Sequence, residues 1–216
     1  MKTLSLLTVM LFLSPGWQLT AQNEAACTKA MEAAIEQFDK VQNAADLQVC
    51  KNSFERIAGT YDKQWLPTYY TAYLNIELVF WEMKSEQNSL RLQEAEKYLK
   101  RLEDMEDADR SEVENLWGYY YMCLISRDPE TMGQQLFQPT VAKFETAMTL
   151  NPENPRPVIL LAFFEQNLPP FLQSKRNRVE EKKKAEKLFS KEQKNYSTPY
   201  WGKNFLQMIN TDSENK

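Results

Sequence analysis

From residue 22 onward, apolar positions recur with the 3.6-residue period of a helix. Met31, Ala34, Ile35 and Phe38 form one stripe and Cys50, Phe54, Ile57 and Ala58 another, each opposite a charged face. The third segment differs. Tyr69, Ala72, Tyr73 and Ile76 lie along one side while Tyr70, Leu74, Leu78 and Trp81 lie along the other, so this helix must be covered twice. Leu92, Ala95, Leu99 and Leu102 return to a single stripe. Val113, Leu116, Trp117, Tyr120 and Leu124, with Tyr119 and Met122, form a second broad helix, followed by a narrow one through Val141, Phe144, Ala147 and Met148. Val158 to Phe164 is apolar nearly all round, and Ala185, Leu188 and Phe189 make a thin stripe in charged surroundings. Broad and narrow helices in turn predict stacked hairpins, with one helix of each pair wedged between neighbours.

Boundary chemistry divides the chain accordingly. Ser111-Glu112-Val113-Glu114 has the form of a capping box, and Asn154-Pro155 and Leu66-Pro67 place proline at helix starts. Ala58-Gly59, Asn151-Pro152 and Leu168-Pro169-Pro170 are stop signals, while Asp128-Pro129 reads as opening an irregular connection to about Pro139. No stretch alternates like a strand. The expected architecture is all-α: an α-α superhelix of about four stacked hairpins in one domain spanning 22–216. A C-terminal capping helix around Trp201 to Ile209 is expected to cover, through Trp201, Phe205, Met208 and Ile209, the apolar end of the stack.

Composition narrows the function. Five glycines in 216 residues are about a third of the usual share, which counts against phosphate-cradling loops. There is no histidine, which removes Ser-His-Asp and Cys-His catalysis and histidine-held zinc or haem. Residues 1–21 read as a secretory signal: Lys2, an apolar run from Leu4 to Leu13, a break at Ser14-Pro15-Gly16 and a cleavage site after Leu19-Thr20-Ala21. Glu24, three residues before Cys27, argues against a lipid anchor there. The net charge of −4 gives no attraction to nucleic acid. Cys27, Cys50 and Cys123 fit neither a CxxC motif nor a metal site, and the first two are staggered along their hairpin, so buried thiols are expected.

The run Phe144-Glu145-Thr146-Ala147-Met148-Thr149-Leu150-Asn151-Pro152 resembles the end of a tetratricopeptide repeat, and Trp117-Gly118-Tyr119-Tyr120-Tyr121 its first helix. Small residues at 118 and 147 admit close helix approach, aromatics fill the space beside them, and Pro152 stops the second helix. Ala72, Gly118 and Ala162 recur at intervals of 46 and 44 residues, longer than the roughly 34 of a standard repeat. The Ala-Gln signal end, Trp65-Leu66-Pro67, Asn151 to Pro157 and Trp201-Gly202 are similar to small exported tetratricopeptide-like proteins of Bacteroidota. That resemblance implies binding without catalysis or cofactor: an exported module that captures a peptide or protein segment in a concave groove lined by the first helix of each repeat. It directs Tyr73, Tyr119 and Phe163 into the groove, with Tyr69, Asn115 and Arg156 earlier on the same faces; the competing reading packs these rings between hairpins.

Two other function classes remain open. An aromatic groove also fits a glycan or small solute, and Glu77, Glu82 and Glu165 on apolar helices offer carboxylates for acid-base hydrolysis, although nothing fixes their separation. Between Lys175 and Lys194, nine basic residues face four acidic ones, which suggests peripheral contact of this helix with an anionic surface or an acidic partner.

Overall fold

The computed structural model describes residues 15–210; most of the predicted export signal lies outside them. Within that range the chain forms α1 (Pro15–Phe38), α2 (Ala44–Thr60), α3 (Trp65–Trp81), α4 (Asn88–Glu103), α5 (Arg110–Arg127), α6 (Pro129–Leu150), α7 (Pro155–Gln166), α8 (Arg178–Phe189) and a single turn, α9 (Phe205–Met208). Each of α1 to α8 packs on the next, and α5 also touches both α3 and α7, the three forming an inner layer. This is an all-helical α-α superhelix of four consecutive hairpins. No helix among the described residues is long and apolar enough to cross a membrane.

The alternation of broad and narrow stripes becomes the layering. α3, α5 and α7 are buried almost all round, whereas α2, α4 and α8 bury one face. The hairpin α5–α6 shows why a small residue is needed: a Cβ at Gly118 would stand 2.8 Å from the Phe144 ring. Its absence lets the ring seat against the α5 backbone. Cys27, Cys50 and Cys123 are free and buried, and burial pushes the Cys50 and Cys123 thiols up to about 12, leaving them poor nucleophiles.

Two local expectations fail for identifiable reasons. Asp109, not Ser111, caps α5, accepting the backbone N–H groups of Ser111 and Glu112 at 2.9 and 3.2 Å. The capping-box motif shifted the start by two residues, because Ser111 and Glu112 are instead drawn into the interior. Residues 129–139 are helix, not an irregular connection. Asp128 accepts from Thr131 N–H at 3.1 Å, Pro129 begins the first turn, and Pro139 lies inside α6; a proline start was misread as a stop.

The C-terminal segment takes an unforeseen path. From Pro199 to Asn210 it crosses α3, α5 and α7 in succession as a strap, so the apolar surface it covers is the inner face of three hairpins. Gly202, at φ +94°, provides the bend that a side-chain-bearing residue adopts only under strain.

Candidate functional site

The inner face has a filled half and an open half. In the filled half, the Trp201 ring stacks on Tyr73 with centroids 4.1 Å apart, and its Nε1–H donates to the Tyr69 hydroxyl at 2.9 Å. Tyr69 in turn donates to Glu112 Oε2 at 2.8 Å, and Arg156 Nη1 meets Glu112 Oε1 at 3.0 Å and Glu192 Oε1 at 2.9 Å. Arg156 Nη2 also donates to the Pro199 carbonyl at 2.5 Å, and the guanidinium lies over the Trp201 ring. Tyr70 accepts the Tyr200 N–H at 2.9 Å. Burial raises the Glu112 carboxyl, against the opposing pull of the Arg156 charge and the Tyr69 hydroxyl. Burial alone would lower Arg156; Glu112, Tyr69, Glu192 and Tyr70 together outweigh that and keep the guanidinium charged.

At the other end the strap leaves space. A cleft of about 620 Å³ opens between α3, α5, α7 and α9, walled by Phe80, Trp81, Tyr119, Phe163, Phe164 and Phe205. Met83, Met122 and Met208 add thioethers to the same wall. Its size lies within the 300–1,000 Å³ typical of small-molecule sites. One carboxylate reaches this apolar space: Glu77 accepts from Tyr119 at 2.6 Å, from Trp81 Nε1 at 3.2 Å and from Tyr73. Burial pushes the Glu77 carboxyl up, and these three donors pull it back. Burial likewise holds the Tyr73 and Tyr119 hydroxyls well above the ordinary phenol range, so both remain protonated donors.

The six groove candidates divide between these halves. Tyr69, Tyr73 and Arg156 are buried beneath the strap, and Asn115 is wholly buried in α5 with neither amide atom hydrogen-bonded. Tyr119 spans both halves, touching Tyr73, Trp201 and the cleft. Phe163 opens onto the cleft and reaches Tyr119 only through the intervening Phe205 ring. The three carboxylates also separate. Glu82 pairs with Arg91 at 2.6 Å, and Glu165 binds Ser174 at 2.9 Å, leaving Glu77 in the cleft.

Sequence reasoning did not find Phe80, Met122 or Phe205 as cleft residues, nor Glu112 as the centre of a buried network. Phe205 sits 42 residues beyond Phe163, and no local pattern signals their contact. Glu112 carried a weak signal, an acid in an apolar stretch, but the capping motif explained it away.

The fold and cleft define a helical-repeat protein with an apolar aromatic pocket at one end of its inner face. No family model matches the sequence, and no curated protein does. Among solved structures, the chain is similar to the HusA haemophore from Porphyromonas gingivalis, with a TM-score of 0.70 and 23% identity over 87% of this chain and 90% of that one. At this identity the likeness shows a shared fold.

Proposed function

We propose that this chain is an exported, non-catalytic binding protein whose cleft takes up a flat, largely apolar cargo of the porphyrin class. The observation that carries this reading is the cleft itself, with six aromatic rings and three methionines around about 620 Å³. The shared fold with a haemophore over nearly the full length of both chains supports the same cargo class. With no histidine in the chain, capture rests on ring stacking and dispersion, with the Met83, Met122 and Met208 thioethers as the soft donors at hand. Export rests on the signal pattern of residues 1–21.

The hairpins fit degenerate tetratricopeptide repeats, a reading supported by the Gly118–Phe144 contact. Peptide capture on the inner face is disfavoured, because an extended segment already lies there and it is the chain's own. The test is titration with hemin, followed by its Soret band and by quenching of tryptophan fluorescence. Saturable binding is expected, weakened about tenfold by Phe163→Ala or Met122→Ala through lost apolar contact. A Soret band that stays at its free position, with no quenching, overturns the reading.

A further inference from the structure

Phe171 is 83% exposed, more than any other large apolar side chain among the described residues. It lies in a single 3-10 turn, Pro170–Leu172, between α7 and α8, and Leu172 beside it is also exposed. Two prolines fix the backbone at 169 and 170. The turn is closed by Leu172 N–H to the Pro169 carbonyl at 2.9 Å, and the Gln173 amide donates to the Leu168 carbonyl at 2.7 Å. The loop thus holds two apolar side chains away from the core on a stiff support. An apolar side chain as exposed as Phe171 gains little from burial in the folded chain and is free to meet a partner.

The surroundings of the tip are basic. Lys175, Arg176 and Arg178, which follow it in the chain, line a hollow of about 310 Å³, with Glu165 as the acid in that wall. Beyond it α8 carries Lys182, Lys183, Lys184 and Lys187, against Glu180, Glu181 and Glu186. Part of this charge is internally matched: Arg176 meets Glu145 at 2.5 Å and Glu181 at 3.9 Å, and Lys183 meets Glu180 at 3.1 Å. Lys175, Lys184 and Lys187 are exposed. A rigid apolar wedge backed by cations matches the layering of an anionic bilayer, where hydrocarbon begins just beneath the phosphates.

We infer that the Pro169–Leu172 loop and α8 form a docking surface for an anionic lipid bilayer, with Phe171 and Leu172 entering the headgroup boundary and Lys175 and Lys184 meeting phosphates. None of Phe171, Leu172, Lys175 and Lys184 lines the cleft, so docking requires no cargo. Leu168, at the root of the loop, is part of the cleft wall; if the cleft takes apolar cargo as proposed above, docking brings its mouth to the membrane.

The test is co-sedimentation of the cargo-free chain with vesicles containing phosphatidylglycerol, compared with vesicles of phosphatidylcholine alone. Binding is expected to the first and to weaken as salt is raised, because the basic side chains act through a screened field. Phe171→Asp should weaken it about tenfold or more, and Lys175→Glu with Lys184→Glu should weaken it and flatten its salt dependence. Helicity and hemin titration should be unchanged in all variants, since none of these side chains lines the cleft. Absence of sedimentation with phosphatidylglycerol vesicles, or equal sedimentation of Phe171→Asp, overturns the proposal. Self-association lost in Phe171→Asp without vesicle binding overturns it too, assigning the loop to a second copy of the chain. Cargo and vesicle binding are read separately, so failure of one is distinguishable from failure of the other.

Discussion

The two halves of the inner face are built from equivalent positions and end in opposite states. Beneath Trp201, Tyr73 is sealed by a stacked ring and flanked by a buried Arg156–Glu112 pair. Two repeat intervals further on, Phe163 stands at the edge of an open cleft. The helices supply the same kind of surface in both places. What separates core from site is whether the strap fills the space, and Trp201 fills it at the end where Tyr69 and Tyr70 of α3 and Arg156 of α7 anchor the strap. A repeated aromatic position therefore has no fixed role in this fold; its role is assigned by the segment that crosses it.

If that contrast is right, damage to the filled half reads out as lost stability and damage to the open half as lost binding. The largest effect is expected for Arg156→Met, which strands the buried Glu112 carboxylate and frees the Pro199 carbonyl. Breaking one side of a buried ion pair costs about 3–5 kcal/mol, measurable by urea denaturation. Adding Glu112→Leu should recover most of that loss. A single-variant cost under about 1 kcal/mol would mean that the pair does not hold the strap.

Phe163→Ala should be much milder for stability, about 1–2 kcal/mol, since the ring is only half-buried and a fully buried one costs about 3–5. Its main effect belongs to the hemin titration. Loss of stability equal to that of Arg156→Met would erase the distinction between the halves.

The smallest effect concerns pH. Glu77 binds its proton more tightly in the folded chain than its ordinary value of 4.5 implies, mainly because burial disfavours the charge. Folded chains therefore hold more protons than unfolded ones between those two values, and the stabilising share of Glu77 is present below the ordinary value and lost as pH rises through the folded one. The difference in Tm between the wild type and Glu77→Gln should accordingly decline over that window and level off above it. A difference that does not vary with pH would show that Tyr73, Tyr119 and Trp81 fully offset the burial.

Much of the scaffold was readable from residue spacing. The double stripe on α3 required covering from both sides, and the structure covers it with α2 and α4, with α5 and with the strap. Asp109 and Pro129 show where such reading slips: more than one residue near a boundary can cap a helix, and packing chooses among them. The candidate groove was legible only as a set of surfaces. Tyr69, Tyr73, Asn115 and Arg156 lie on the inner helices yet are buried, and nothing near them in sequence announces that cover.

The order of the helices and their alternating width were determined by the sequence itself, because periodicity and capping act over a few residues. Which aromatic positions became core and which became cleft was decided by tertiary structure. Trp201 bonds to Tyr69 across 132 residues, and a contact of that span is set by where Gly202 turns the chain and where a buried charge pair can hold it.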